Sequence, residues 1–96
     1  MDDRVEIRRM FYENGKVQAE TCFRNGKVDG LSRTYYESGI VLSESSFKDN
    51  MMHGPRKEYY RNGRLKREDI WKFNRILSSV IYDEQGNCIE VKSYAV

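Results

Sequence analysis

Apolar and polar side chains alternate along short segments of this chain. In residues 17–23, the odd positions hold Val, Ala, Thr and Phe, and the even positions hold Gln, Glu and Cys. A period of two is that of a β-strand with one face drier than the other. By the same alternation, Val41 and Phe47 are predicted to lie on one face of their strand, and Leu65 and Trp71 on one face of theirs. The stretches between turn-forming dipeptides are too short for stable helices, so the pattern predicts strands.

One five-residue unit occurs three times: an aromatic residue, Tyr, a charged residue, a polar residue and Gly. It fills residues 11–15, 35–39 and 59–63, and each glycine lies 24 residues after the previous one. Three further columns keep this period: Val17, Val41 and Leu65; Glu20, Glu44 and Glu68; Phe23, Phe47 and Trp71. A fixed period of about 20–50 residues indicates a repeat protein, which presents an extended surface more naturally than a catalytic pocket.

A second turn recurs once in each period. Residues 24–26, 48–50 and 72–74 each end on Gly or Asn, the residues that best tolerate the left-handed backbone of a tight hairpin. Two turns in each repeat of about 24 residues imply consecutive hairpins. We therefore predict an all-β fold, an elongated and twisted antiparallel meander of roughly seven or eight strands in a single layer.

The chain of 96 residues is interpreted as a single domain. We place its repeats at about residues 7–30, 31–54 and 55–78, followed by a degenerate terminal hairpin at 79–96.

The large aromatic residues of successive repeats are predicted not to touch. Phe23 and Phe47 lie two strands apart in the predicted sheet, roughly 9–10 Å from each other. We expect one member of each tyrosine pair, on the strand between them, to fill the gap and form an aromatic stripe.

The composition gives little support to catalysis or to a cofactor. Cys22 and Cys88 follow no metal spacing, His53 is the single histidine, and no glycine-rich loop leads into a helix. The glutamate column repeats every two strands, too far apart for paired carboxylates, so we predict a structural role for it. We expect no enzyme, no metal and no cofactor.

The amino-terminal residues have no apolar run, and no segment is long enough to span a bilayer. If Met1 is the native start, this pattern predicts a cytoplasmic protein.

Charge is concentrated in the third repeat. Residues 55–78 carry eight basic and three acidic side chains, whereas the whole chain has a net charge of only +2. Three interpretations stay open: a solvated face that resists aggregation, a contact for an acidic protein, or a surface for nucleic acid or anionic lipid. We favour the acidic protein over nucleic acid. The candidate partner-binding residues are Arg56, Lys57, Tyr59, Arg61, Arg64, Lys66, Arg67, Lys72, Met51 and Met52.

The two methionines precede the basic repeat in a loop where repeat one has Lys-Val. In one interpretation Met52 replaces Val28 as an apolar anchor and Met51 is incidental. In the other, the pair forms an adaptable apolar contact for a partner.

These residues resemble a known family. Residues 11–30 are similar nearly throughout to the MORN repeat variant (membrane occupation and recognition nexus), and the second and third units keep its Tyr-Tyr pair, Gly, Glu and closing aromatic residue. The departures are Ser38 for Asn, Ile40 for a basic residue, residues 51–53 for Lys-x-Asp, and Ser78 for the closing Gly.

In bacteria, chains made of this repeat variant are commonly classed with antitoxins of toxin–antitoxin systems. The resemblance therefore implies a non-enzymatic protein that binds a partner protein, possibly a toxin, as an antitoxin or immunity component. The alternative is a scaffold that binds an anionic membrane surface or nucleic acid through the basic third repeat. We also expect that sheet edges or the aromatic face permit self-association.

Overall fold

A computed structural model describes residues 3–94 and contains one antiparallel sheet in which strands follow each other in chain order. The strands are β1 (Val5–Phe11), β2 (Val17–Arg24), β3 (Lys27–Tyr35), β4 (Val41–Lys48), β5 (Met51–Tyr59), β6 (Leu65–Lys72), β7 (Arg75–Tyr82) and β8 (Cys88–Ser93). The sheet is open, with β1 and β8 at its edges, and measures 46 × 41 × 15 Å. The predicted all-β meander of hairpins is confirmed. Within residues 3–94, no helix is long and apolar enough to cross a membrane.

The sheet has no apolar interior. Among the described residues no hydrophobic side chain is buried, and the three buried side chains are polar: Ser43, Asp69 and Ser79. A single layer cannot enclose side chains between two sheets, so backbone hydrogen bonds and cross-strand side-chain pairs must supply most of its stability.

The strand register assigns side chains to two faces, because residues directly opposite each other in a sheet point to the same side. One face, called here the ladder face, carries a row of alternating charge that ends in two valines: Arg9, Glu20, Arg33, Glu44, Lys57, Glu68, Val80 and Val91. The other, the hydroxyl face, carries the adjacent row: Arg8, Thr21, Ser32, Ser45, Arg56, Asp69, Ser79 and Lys92. The glutamate column thus alternates with basic residues of the intervening strands.

The tyrosine-containing turns lie along one edge of the sheet, called here the Tyr-turn edge. In each repeat the second tyrosine donates its hydroxyl hydrogen to a backbone carbonyl of the next repeat. Tyr12 bonds to Tyr35 at 2.5 Å, Tyr36 to Tyr59 at 2.7 Å and Tyr60 to Tyr82 at 2.7 Å. These bonds reach across one hairpin and join neighbouring repeats.

The second repeat departs from the family pattern at this edge, and its turn is held differently. The side-chain amide of Asn14 donates to the Glu37 carbonyl at 3.4 Å, and that of Asn62 donates to the Glu84 carbonyl at 3.2 Å. Ser38, which replaces this asparagine, has a side chain too short to reach the next turn and only accepts a bond from the Ile40 amide at 3.4 Å.

Tight turns form the opposite edge, called here the Asn-turn edge. Both central residues of each turn have positive φ angles, 49° and 69° for Asp49 and Asn50, and 45° and 66° for Phe73 and Asn74. Such angles at both positions define a type I′ turn, which matches the twist of the flanking strands. The Asn74 side chain also accepts the Met52 amide hydrogen at 2.9 Å, so it links this turn between β6 and β7 to the start of β5.

Glycines near the Asn-turn edge occupy irregularities in the ladder. Gly30 and Gly54 have φ angles of 97° and 109°, and the register skips residues beside each of them. Ser78 takes the position of the third such glycine. There Trp71 pairs with Ile76 and Ile70 pairs with Ser78, so only Leu77 of β7 is passed over. Beside Gly30 and Gly54, by contrast, three residues of the later strand are passed over. The repeat shortens where its glycine is missing.

The predicted aromatic stripe is wrong. Phe23 lies opposite Val28, and Phe47 lies opposite Met52 on one side and Gly30 on the other. The tyrosine pairs belong to the Tyr-turn edge, at the far ends of the same strands, so they cannot fill the gap between the phenylalanines. The residues opposite the phenylalanines are Val28, Gly30 and Met52 instead.

The inter-repeat tyrosine bonds predict a selective loss of stability. We expect Tyr36→Phe to lower the free energy of unfolding by about 1 kcal/mol, because the Tyr59 carbonyl loses its donor. The matched control is Tyr59→Phe, whose hydroxyl makes no hydrogen bond within the described part of the chain. Urea unfolding measures both, and equal losses would contradict the assignment.

Candidate functional site

The basic side chains of the third repeat do not form one patch. Strand alternation divides them between both faces and both turn edges of the sheet. Lys57 lies on the ladder face, Arg56 and Arg67 lie on the hydroxyl face, Arg61 and Arg64 lie in a turn of the Tyr-turn edge, and Lys72 ends β6 at the Asn-turn edge. A charge sum over the repeat therefore overstates the positive potential at any one place.

Three of these cations are paired with carboxylates. Arg56 contacts Glu58 at 2.5 Å on the same strand, and Lys57 contacts Glu68 at 3.8 Å on the next. The third pair joins Arg67 to Asp69.

The Arg67–Asp69 pair is the most enclosed of the three. Its N–O distance is 2.7 Å, and only 3% of the Asp69 side chain is exposed. The hydrogen bond to Asp69 raises the pKa of Arg67 above its ordinary value. The guanidinium also donates to the Ser79 hydroxyl at 3.4 Å. Removing Arg67 would leave a buried carboxylate without its partner, so this arginine has a structural role.

The structure brings Arg61, Arg64 and Lys66 together at the Tyr-turn edge. None of them forms an ion pair with any of residues 3–94. The Arg61 guanidinium carbon lies 4.8 Å from the centre of the Tyr36 ring, and the Lys66 ammonium nitrogen lies 5.6 Å from that of Tyr60. A cation over the face of an aromatic ring is attracted by that ring, which helps to hold the side chain in place.

A shallow groove runs between these side chains. It is lined by Tyr36, Tyr60, Arg61, Asn62, Lys66 and Glu84. Arg64 adjoins it and donates to the Gln85 carbonyl, which connects this turn to the next one. Tyr59 has its carbonyl at the same edge, where it accepts the Tyr36 hydroxyl. This groove, with Arg61, Lys66 and the rings of Tyr36 and Tyr60, is the candidate binding site.

Lys72 lies at the opposite edge. It lines a separate shallow depression with Phe73, Arg75 and Leu77. Because nearly the full length of β6 separates Lys72 from Lys66, the two cannot contact one small epitope together.

The methionines also lie at the Asn-turn edge. Met52 faces Phe47 as Val28 faces Phe23, which supports its interpretation as an apolar anchor. Met51 is opposite Lys48 and half-buried.

His53 takes over the role of Asp29. The Asp29 carboxylate accepts the Asp49 amide hydrogen at 3.3 Å, and the His53 Nδ1 accepts the Phe73 amide hydrogen at 3.3 Å. The substitution of residues 51–53 thus preserves the local bonding.

On the ladder face, Glu20 has the most elaborate surroundings of the glutamate column. Its carboxylate accepts bonds from the Tyr35 hydroxyl at 2.5 Å and from Arg9 at 2.7 Å. The Tyr35 bond and then the Arg9 bond hold the pKa of Glu20 below its ordinary value of 4.5. The same bond to Glu20 raises the pKa of Tyr35 above its ordinary value of 10.0.

These surroundings indicate structural use of the carboxylates. Arg33 and Glu44 repeat the pairing at 2.6 Å, and within residues 3–94 no group of three His, Cys, Asp or Glu side chains is placed to hold a metal ion. Cys22 and Cys88 are free thiols.

The sequence reasoning missed both tyrosines that line the groove. Tyr36 belongs to the second repeat and Tyr60 was left out of the candidates, yet both rings carry the cations of the third. The 24-residue period places the corresponding turns along one edge of the sheet, but it does not specify which side chains meet there.

A protein-family model described as "MORN repeat variant" matches residues 7–25, 28–49 and 52–72, well over half of the chain. The three segments follow the three repeats read from the glycine spacing. Searches of curated proteins and of solved structures found no match.

The Glu20–Tyr35 bond predicts a pH-dependent contribution to stability. Because the pKa of Glu20 is lowered, its contribution is present above pH 4.5 and is lost as the pH falls through the lowered value. Because the pKa of Tyr35 is raised, the protonated hydroxyl contributes below pH 10.0 and its contribution is lost as the pH rises through the raised value. We expect wild type to exceed Glu20→Gln in stability between these limits, by less than about 1 kcal/mol at this partly exposed site.

Urea unfolding from about pH 3 to about pH 11 measures this difference. Tyr35→Phe serves as the control, because it should remove the loss of stability at high pH, whereas the Arg9 bond still gives Glu20 a contribution that is lost at low pH. A difference between wild type and Glu20→Gln that is constant over the whole range would contradict the prediction.

Proposed function

Since the chain belongs to the MORN repeat variant family, whose repeats generally bind proteins or membranes, we propose that it is a non-catalytic protein that binds a partner protein through the Tyr-turn edge of its third repeat. The observation that carries the proposal is a groove in which Arg61 and Lys66, two cations without ion-pair partners in residues 3–94, lie over the rings of Tyr36 and Tyr60, with Arg64 in the same turn.

The residue types at this edge are those of protein interfaces. Tyr and Arg are enriched among the residues that dominate binding energies, and a tyrosine ring adds contact area at a low entropic cost. A carboxylate from the partner would gain bidentate bonds from Arg61 without displacing an existing ion pair. The proposed partner therefore presents acidic side chains to the groove.

The proposed biological class is an antitoxin or immunity component of a bacterial toxin–antitoxin system. Its support is the resemblance of the repeat units to chains that are commonly placed in that class. In this role the partner is a toxin, and binding alone neutralises it, so the site needs no catalytic residues.

A scaffold for an anionic membrane or nucleic acid is the second candidate, favoured by the same cations. Each Lys or Arg near an anionic surface contributes about 1 kcal/mol, so the three unpaired cations here supply about 3 kcal/mol. That is a weak attraction, because the remaining basic residues of the strands are largely paired with carboxylates or lie at the other edge. The charge distribution therefore favours the protein partner.

Charge reversal at the two turn edges tests the proposed site. We expect Arg61→Glu combined with Lys66→Glu to abolish capture of the partner from lysate of the source cell. The matched control is Lys72→Glu combined with Arg75→Glu, which changes the net charge equally at the Asn-turn edge and should leave capture intact. Arg67 is not substituted, because its loss would leave the buried Asp69 carboxylate without its partner. Equal loss in both double variants, with both folded, would show that net charge and not this edge matters.

Expression of the captured partner tests the biological class. We expect the partner alone to arrest growth, and co-expression of wild type but not of the Arg61→Glu, Lys66→Glu variant to restore it. A partner that is harmless on its own would refute the antitoxin class while leaving the binding site in place. Steeply salt-dependent binding to anionic vesicles or nucleic acid, lost in the same variant, would favour the scaffold instead.

A further inference from the structure

The outer strand β8 has an alternation that is complementary to itself. After Cys88 its residues are Ile89, Glu90, Val91, Lys92 and Ser93, and all of them are exposed. The exposed fraction is 61% for Ile89 and 67% for Val91. An exposed apolar edge strand is a template for pairing with another strand.

The backbone of β8 has unused hydrogen-bonding groups along its outer side. The Tyr94 amide donates to the Leu77 carbonyl of β7 at 3.0 Å. Because successive residues of a strand direct their backbone groups to alternate sides, Lys92 and Glu90 also bond to β7, whereas Ser93, Val91 and Ile89 direct theirs outwards. The outward-directed backbone amides and carbonyls of β8 are therefore centred on Val91.

The ladder face changes character at this edge. Its row of charges runs from Arg9 to Glu68 and then continues as Val80 opposite Val91. Continued alternation would have placed a cation and a carboxylate at these two positions. The two valines instead form an apolar pair beside the outer edge. A strand added at this edge would cover them and remove their apolar surface from water.

We propose that two copies of this chain associate through antiparallel pairing of their β8 strands, with Val91 of one copy opposite Val91 of the other. This register joins the valines into a row of four across the two copies on the ladder face. On the hydroxyl face it places Glu90 of each copy opposite Lys92 of its partner, at positions where the side chains of a pair approach most closely. Within one copy the Lys92 ammonium contacts the Glu90 carboxylate at 3.3 Å, so the pairing joins two such ion pairs into a group of four alternating charges. The register thus forms two equivalent Glu90–Lys92 pairs between the copies. The outward backbone amides and carbonyls of both β8 strands become hydrogen-bonded.

Pairing of β8 with β1 of another copy fits less well. Continuing the sheet in the register of its own rows would join Lys92 to Arg8, two like charges, and Val91 to Arg9, which is already paired with Glu20. Such a head-to-tail contact is also open-ended and would build long assemblies, whereas β8 with β8 closes at two copies.

Pairing of β1 with β1 is also weaker. Centring two copies on Ile7 makes Glu6 face Arg8, but it brings Arg9 of each copy against Val5 of the other. The Arg8 guanidinium already lies 4.3 Å from the centre of the Phe23 ring. The β1 edge therefore offers a less complementary surface than β8.

Sedimentation velocity over about a hundredfold range of concentration tests the proposal. We expect a reversible monomer–dimer equilibrium, with weak affinity because a single pair of edge strands buries less than the roughly 800 Å² per partner of a standard interface. A purely monomeric chain at the highest concentration, or open-ended growth beyond dimers, would overturn it.

Charge exchange identifies the register. Lys92→Glu makes both central charges of β8 acidic, Glu90→Lys makes both basic, and we expect each variant alone to be monomeric. Mixing the two should restore a dimer that contains one copy of each. No restoration on mixing, with both variants folded by circular dichroism, would refute the proposed register.

A matched pair of edge substitutions identifies the strand. Val91→Lys and Ile7→Lys each replace an exposed residue of an outer strand on the ladder face. We expect Val91→Lys to abolish the dimer, because it opposes two cations, and Ile7→Lys to leave it unchanged. A dimer that persists in Val91→Lys but is lost in Ile7→Lys would show that the interface is β1 and would overturn the proposal.

Discussion

The structure depends on bonds that pass from one hairpin to the next, because a single layer of strands has no interior to hold it together. The tyrosine hydroxyls illustrate this constraint. Tyr36 reaches across a hairpin to the carbonyl of Tyr59, and Tyr60 does the same to Tyr82. Each repeat therefore stabilises its neighbour, and a repeat taken alone lacks all of these bonds. Stability in such an array is a sum over nearest neighbours.

The same constraint explains why so many charges belong to the scaffold. With both faces wet, the central positions of each strand cannot be apolar without exposing a large hydrophobic area, and opposite charges across strands are a compatible choice. The ladder from Arg9 to Glu68 satisfies this requirement with a repeating alternation. Its consequence for function is that charge on the faces is largely neutralised, and unpaired cations remain at the turn edges. Binding specificity is therefore better sought at those edges than in the sum of charges over a repeat.

Much of the fold could be predicted from the sequence because the turns carry strong local signals. Positive φ angles at Asp49, Asn50 and the glycines require particular residues, and the regular spacing of those residues locates the strands between them. The position of the tyrosine pairs was predicted wrongly, because parity within a strand does not say which end of a neighbouring strand lies opposite. Once the hairpins are drawn antiparallel, the pairs fall at the far edge from Phe23.

The candidate site was less predictable than the fold. Counting charges over residues 55–78 treated Arg56, Arg67 and Lys72 as members of one surface. Arg56 and Arg67 each have a carboxylate two residues further along the same strand, and that spacing places both groups on one face of a sheet. Strand alternation applied to the sequence would have identified both pairs. The approach of Arg61 to Tyr36 depends on the side-chain geometry of two turns in different repeats, which no periodicity specifies.

The two proposed surfaces are compatible with each other on geometric grounds. A two-fold axis between antiparallel β8 strands runs perpendicular to the sheet, so it reverses the strand direction of the second copy. The Tyr-turn edges of the two copies then face in opposite directions, and each groove between Tyr36 and Tyr60 stays open. A dimer of this kind would bind two partner molecules without competition between them. Dimer formation and partner binding should therefore be independent, since the edge substitutions at Val91 and the charge reversals at Arg61 and Lys66 alter separate parts of the sheet.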